Sequence, residues 1–260
     1  MNRRDFLKNA VKTSFIFAAG LWVPKLGILR SADAEASFFQ HAAGASGFLT
    51  RVHAGITMKL SKVAGTAFAT QVSGSIPWAQ YRNRSVSIND GTGKYARGFI
   101  GAVGSGETYS SEILVGWNFT SGWTPSNATI VDANTIQSTL ANGSISKAYS
   151  LIVGRLYKGV MAGAISSGSP VLGYTSGGDY LLSDFGTGFK TNNGSNGIIV
   201  RAATSGAILD VTTLELYQVL TPDSTGILVT STRGGATQSF ASVDAGFNSN
   251  AASFTVTVSA

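Results

Sequence analysis

The sequence predicts an all-β protein: a jelly-roll or β-sandwich domain, preceded by a smaller β-rich segment and an N-terminal leader helix. Charged residues make up only 12% of the chain and 32 of its 260 residues are glycine, whereas the helix formers Glu, Lys and Gln are scarce. Short strands and tight turns need this composition, because glycine adopts positive φ and Ser and Thr tolerate half-exposed strand positions. The absence of cysteine excludes disulfides, thiolate catalysis and cysteine-ligated zinc.

Residues 1–36 have the pattern of an export leader. Arg3, Arg4, Phe6 and Leu7 belong to a segment that resembles the twin-arginine export motif. The uncharged stretch after it is far shorter than the about 20 apolar residues of a membrane-spanning helix, and small residues suited to cleavage follow. The resemblance implies export to the periplasm or the cell exterior. The alternative is an amphipathic helix that stays on the protein.

Residues 37–110 form the predicted small β-rich segment. Alternating apolar and polar residues indicate strands at 48–53 and 56–60. Asp90-Gly91, a strong turn signal, predicts a hairpin between two further strands. The glycine-rich stretch 101–106 indicates a linker after this segment.

Residues 111–220 form the predicted jelly roll. Strand candidates recur at intervals of about ten to fifteen residues with turn residues between them, as is typical of a sandwich. They lie at 112–115, 128–131, 136–140, 148–153, 156–164, 197–202 and 210–220. Residues 221–260 contain C-terminal strands, including the alternating segment 253–258, which either complete the jelly roll or form an edge of their own.

The second segment is similar to a known family. The resemblance rests on the Gly-Trp-Asn-Phe and Gly-Trp-Thr motifs, the strand that begins at Leu156, Gly177-Gly178, and the strands at 196–200 and 208–216. With these features, the segment resembles the carbohydrate-binding-module-like jelly rolls of phage tail and virion proteins. In that family the closing strand commonly carries Asp-Asn-Val, whereas here Asp210 is followed directly by valine. The resemblance implies a jelly-roll fold and a role in surface recognition.

The candidate ligand-binding residues are aromatic. Four of them lie beside glycine-rich loops: Trp117, Trp123, Tyr174 and Tyr180. Asp179 directly precedes Tyr180 and is a further candidate. A flat aromatic face can stack on the C–H surface of a sugar, and nearby polar groups can bind its hydroxyls. Burial of both tryptophans in the core is the competing interpretation, while exposure is expected for the two tyrosines.

Catalytic residues are not predicted. The only histidines are His41 and His53, and no Gly-x-Ser-x-Gly elbow accompanies them. Two carboxylates could act in a glycosidase. Asp179 and Asp184, however, fall among turn residues, and a separation of five sends Asp210 and its partner Glu215 to opposite faces of a strand.

We also expect no metal site and no cofactor. The turn at Asp90 supplies one carboxylate, whereas calcium takes six to eight oxygen ligands. A structural calcium ion held by distant loops stays open. Basic residues are too few and too scattered for nucleic-acid binding.

The sequence therefore predicts a non-catalytic adhesion or recognition protein, exported or on a virion surface, that binds a cell-surface or extracellular glycan. One alternative is a purely structural fibre or capsid-decoration protein whose C-terminal strand pairs with a neighbouring sheet. A second is a secreted accessory protein of polysaccharide breakdown. Other virion or surface proteins are expected partners, as are further copies of the chain, for which a trimer fits.

Overall fold

A computed structural model describes residues 38–41, 49–63, 65–175 and 180–259, with side chains from residue 50 onward. These ranges consist of β-strands, turns and one short 3-10 turn, η1 (Trp78–Tyr81), which confirms the all-β class. The predicted leader, with Arg3, Arg4, Phe6 and Leu7, lies outside the described residues, and so does Asp179.

The strands are, in chain order, β1 (Phe38–His41), β2 (Leu49–Val63), β3 (Thr66–Ser73), β4 (Ser85–Asn89), β5 (Tyr95–Val103), β6 (Thr108–Tyr109), β7 (Thr124–Ser126), β8 (Ala128–Ile130), β9 (Thr135–Ser138), β10 (Gly143–Ala148), β11 (Leu156–Ile165), β12 (Pro170–Tyr174), β13 (Tyr180–Leu182), β14 (Gly186–Thr191), β15 (Gly197–Ala202), β16 (Ile208–Thr221), β17 (Ile227–Thr230), β18 (Ser242–Val243) and β19 (Phe254–Ser259).

Six antiparallel strands close into a barrel in the order β2-β19-β4-β5-β17-β3, with β3 pairing back to β2. Closure removes free sheet edges and directs every second side chain inward. Val86 and Ile88 of β4 and Val256 and Val258 of β19 show this alternation, and all four belong to one buried apolar cluster. The alternation in the sequence therefore defines the inside of the barrel.

Two antiparallel sheets form a sandwich. One has the order β13-β12-β15-β10-β7, and the other has the order β14-β11-β16-β9-β8 with β6 paired to β16. Ile145 and Ile198 of the first sheet and Met161 and Leu216 of the second are completely buried in one core. The predicted sandwich is thus present between residues 108 and 221.

The C-terminal strands belong to the barrel. β17 lies between β5 and β3, and β19 lies between β2 and β4, so both strands pair with strands of the N-terminal segment and not with the sandwich sheets. The expectation that the C-terminal strand offers a free edge to a neighbouring sheet is wrong, because both edges of β19 are hydrogen-bonded within the barrel.

Barrel and sandwich meet through a third apolar cluster and several hydrogen bonds, within one compact unit. Phe68 of β3 packs with Leu156 of β11 and Val219 of β16, and all three are buried. Nearby, the side chain of Asn250 accepts a hydrogen bond from the Thr191 amide at 3.0 Å and donates one to its carbonyl at 3.0 Å. The strands of the sandwich are thereby anchored beside the barrel.

Candidate functional site

The predicted tryptophans belong to a chain of aromatic rings in the sandwich. Trp123 is 6% exposed, and its indole N–H has no hydrogen-bond partner within the described ranges. Its ring lies edge-on to Phe119, with centroids 5.3 Å apart, and Phe119 lies 5.0 Å from the half-buried Trp117. Trp123 therefore fills the core, and only Trp117 retains an accessible surface.

The two predicted tyrosines differ from each other. Tyr174 is 2% exposed and its hydroxyl donates to the Lys190 carbonyl at 2.7 Å, so the expected exposure is wrong. Its strand position faces the sandwich core, where it meets Tyr157 edge-on with centroids 6.3 Å apart. Tyr180 is half-buried, and the Arg201 guanidinium lies 4.5 Å from its ring centroid.

The structure brings together a different set of aromatic and charged side chains, which we call the tyrosine face. It lies on the outer side of the β14-β11-β16-β6 strands, next to the barrel. Its members are Glu107, Tyr109, Lys158, Phe189, Glu215 and Tyr217, and all are half-buried.

Strand register and alternation produce this grouping. Lys158 of β11 is paired with Phe189 of β14 on one side and with Tyr217 of β16 on the other. Tyr109 of β6 is paired with Val219, two residues beyond Tyr217. Because side chains alternate along a strand, Tyr157 and Leu216 face the core while Lys158 and Tyr217, the next residue on each strand, face outward.

The rings and the lysine are in direct contact. Tyr109 and Tyr217 have centroids 6.0 Å apart at an interplanar angle of 54°. The Lys158 ammonium lies 4.6 Å from the Tyr109 centroid and 5.8 Å from that of Tyr217. At this distance the ring faces attract the cation.

Carboxylates hold both tyrosine hydroxyls. The hydroxyl of Tyr109 donates to Glu107 Oε2 at 2.6 Å, and the hydroxyl of Tyr217 donates to Glu215 Oε2 at 3.0 Å. The other oxygen of Glu107 pairs with Lys59 Nζ of the barrel at 2.5 Å. Both rings are therefore oriented by charge-assisted hydrogen bonds, which are stronger than neutral ones.

These contacts favour the protonated hydroxyls. Burial, together with the hydrogen bond to Glu107 and its charge, raises the pKa of Tyr109 to about 12. The hydrogen bond to Glu215, with partial burial and the same carboxylate's charge, raises the pKa of Tyr217 above its usual value. Both side chains therefore stay neutral donors at physiological pH.

The turn at Asp90 is occupied by internal donors. One oxygen of Asp90 accepts from the Thr92 amide and hydroxyl at 2.8 and 2.7 Å and from the Lys94 amide at 3.3 Å, and the other accepts from the Asn248 amide at 2.8 Å. A carboxylate so saturated has little capacity left for a cation. In the described parts of the chain, no three His, Cys, Asp or Glu side chains converge as metal ligands would.

Two clefts open on the barrel. One, of about 420 Å³, lies beside η1 and is lined mainly by Gln71, residues 74–79 and Thr225. The other, of about 340 Å³, lies over β4 and β5, and Arg97 is the charged side chain in its lining. Among the described residues, neither lining contains a carboxylate or a histidine that could form an acid–base pair.

His53 is a packing residue of the barrel. It is 8% exposed, and its ring lies edge-on to Tyr81 with centroids 6.4 Å apart. Burial, and secondarily the charge of Arg51, lowers its pKa. The ring therefore stays neutral at physiological pH. The side chain of His41 lies outside the described residues.

Sequence reasoning missed the tyrosine face, although a local signal was available. Glu215 and Tyr217 stand two apart in a predicted strand, which places them on one face, and that face is opposite the apolar Leu214 and Leu216. The role of Tyr109 carried no such signal, because β6 is only two residues long and its partner strand lies far along the chain.

Comparison of the chain with protein families, with curated proteins and with solved structures gives no match. Across the described ranges, no helix has the length and apolar character required to cross a lipid bilayer.

Proposed function

We propose that the protein is a non-catalytic recognition protein that binds a glycan through the tyrosine face. The observation that carries the proposal is the pair of tyrosine rings on one sheet surface, 6.0 Å apart, with both hydroxyls fixed by carboxylates. Fixed rings lose little conformational entropy when a ligand binds, which favours affinity.

The chemistry of the face suits a sugar. Aromatic rings stack on the apolar C–H side of a pyranose, while Glu215 and Lys158 offer an acceptor and a donor for its hydroxyls. The Lys158 ammonium lies over both rings and must shift for stacking on those faces. Such a shift has a modest cost, since a cation–π contact contributes about 0.5–1 kcal/mol when exposed and about 2 kcal/mol when desolvated, and this one is half-buried.

The setting of this activity is part of the proposal. The twin-arginine-like leader supports display outside the cell. The sandwich fold supports a recognition role like that of modules in surface or virion proteins. The structural alternative is weakened, because the C-terminal strand on which it relied is paired on both edges inside the barrel.

The test is glycan-array screening of the full chain, followed by titration of the best ligand against variants of Tyr217. Tyr217→Ala removes one ring and should weaken binding about tenfold. Tyr217→Phe keeps the ring but loses the hydrogen bond to Glu215, so its affinity should fall less than that of Tyr217→Ala. The matched control is Tyr95→Ala, since Tyr95 is also half-buried beneath a cation, with Arg97 at 4.5 Å, but lies on the barrel.

The outcomes separate clearly. Folded protein that binds no glycan contradicts the proposal, as does a ligand whose affinity is the same for Tyr217→Ala and for the unmodified chain. Equal losses in Tyr217→Ala and Tyr95→Ala would place the binding surface elsewhere or indicate a general loss of stability.

A further inference from the structure

The opposite side of the sandwich carries an arginine in an unusual setting. Arg201 lies in β15, the central strand of the five-stranded sheet. Its neighbours Val200 and Ala202 are completely buried in the core. Because side chains alternate, Arg201 is directed to the outer surface of this sheet, away from the tyrosine face.

The guanidinium of Arg201 has an aromatic contact but, among the residues that the structure describes, no ion-pair partner. It lies 4.5 Å from the Tyr180 ring centroid, and its Nε is buried with no hydrogen-bond partner in the described part of the chain. The ion pairs within the described ranges are Lys59–Glu107 and Arg97–Asp244, so no described carboxylate neutralises Arg201. A buried donor without a hydrogen-bond partner destabilises the fold, and a group of a bound ligand could supply that partner.

The side chains around Arg201 are hydroxyls and apolar groups. Its register partners are Ser144 of β10 and Val171 of β12, and Ser144 is in turn paired with Ser126 of the edge strand β7. Ser144 is 7% exposed and Val171 is 4% exposed, so the sheet surface beside the guanidinium is closely packed. None of these neighbours carries a negative charge that would repel an anion.

We propose that Arg201, Tyr180 and Ser144 form a binding site for the carboxylate or sulfate group of an acidic saccharide. The planar guanidinium can donate two parallel hydrogen bonds to such an oxyanion, and its cation–π contact with the Tyr180 ring helps to hold it in place. Ser144 and Ser126 lie next to each other across the sheet, beside Arg201, and their hydroxyls can donate and accept hydrogen bonds with the hydroxyls of a saccharide. The proposal stands independently of the tyrosine face, which lies on the other sheet.

The experiment is isothermal titration of the full chain at low ionic strength with three probes: trigalacturonate, a sulfated galactan oligosaccharide and neutral galactotriose. We expect one or both acidic probes to bind and galactotriose to bind at least about tenfold more weakly, the loss expected for one charge-assisted interaction. The acidic probe that binds more tightly identifies carboxylate or sulfate as the preferred group.

Variants assign the binding to the arginine. Arg201→Gln should weaken the acidic probe at least about tenfold, and Arg201→Lys should recover only part of the affinity because an ammonium lacks the planar fork. The matched control is Arg233→Gln, which removes the same charge from an exposed turn of the barrel and should change affinity less than about twofold.

Several results would overturn the proposal: no binding of either acidic probe, equal affinity for galactotriose, or equal losses in Arg201→Gln and Arg233→Gln. Thermal unfolding shows that each variant is folded, and Arg201→Gln should fold because the buried Nε that it removes has no hydrogen-bond partner among the described residues. Tyr217→Ala should leave the acidic probe unaffected, so failure of the glycan proposal and failure of this one are distinguishable.

Discussion

Replacing Asp90 by alanine should destabilise the barrel, because this one carboxylate joins two distant parts of the chain. It accepts three hydrogen bonds within its own turn and one from the Asn248 amide, 158 residues further along. The side chain is 5% exposed, so water replaces few of these bonds when it is removed. We expect a loss of about 3 kcal/mol in the free energy of unfolding.

Asparagine at this position should have a smaller effect. It retains one acceptor oxygen and can satisfy either the turn or the Asn248 amide, so a loss of about 1–2 kcal/mol is expected. The matched control is Asp132→Ala, since Asp132 also accepts hydrogen bonds from two amides of its own turn, at 2.9 Å each, but is exposed and, in the described part of the chain, has no hydrogen bond to a distant segment. The free energy of unfolding of that variant should fall clearly less than that of Asp90→Ala.

The stability that Asp90 gives the unmodified chain should also depend on pH. Burial alone would raise the pKa of Asp90, but the hydrogen bonds from Asn248, Thr92 and Lys94 outweigh it and lower the pKa below 3.8. The ionised group therefore stabilises the folded state above pH 3.8, and this contribution is lost as the pH falls through the folded-state pKa. The difference between Asp90→Asn and the unmodified chain should shrink over the same range.

Urea unfolding followed by circular dichroism measures these differences. The reasoning is refuted if Asp90→Ala unfolds at the same urea concentration as the unmodified chain, or if Asp132→Ala is equally destabilised. Either result would mean that the bond to Asn248 adds nothing to the stability of the barrel.

Two further predictions concern the connection between barrel and sandwich. Glu107→Gln removes the charge beside Tyr109 and should lower the pKa of Tyr109 from about 12 only in part, because burial, the largest cause of the rise, remains; NMR titration of isotope-labelled tyrosine measures it, and an unchanged pKa would contradict the contribution of Glu107. Gly104→Ala should lower the free energy of unfolding by about 2–3 kcal/mol, because the new Cβ would lie 2.0 Å from the Asp223 carbonyl oxygen and the backbone must move. Urea unfolding tests it, and an unchanged midpoint would contradict the expected clash.

Local patterns predicted several strands well. The predicted strand at 197–202 coincides with β15, and the turn at Asp90 joins β4 to β5 as expected. Both predictions depended on neighbouring residues only: apolar residues typical of strands in the first case, and Asp-Gly turn chemistry in the second.

Other predictions failed where distant groups decide the local structure. No strand forms at 112–115, because the Glu112 carboxylate accepts hydrogen bonds from the Leu114 amide at 2.6 Å and from the Leu216 amide at 3.3 Å. The two strands expected on either side of Gly55 are a single strand, β2, in which Gly55 has a φ of +71°. The glycine adapts the backbone within the strand and does not end it.

The sequence by itself determined the class of this protein and most of its strands, because composition, alternation and turn chemistry act over a few residues. Tertiary structure alone decided that β17 and β19 close a barrel with the N-terminal strands, that Tyr174 is buried, and that Tyr109 meets Tyr217. The physical reason is that strand pairing joins residues of any separation along the chain. Which aromatic rings reach the surface is therefore a property of the assembled sheets and not of any one segment.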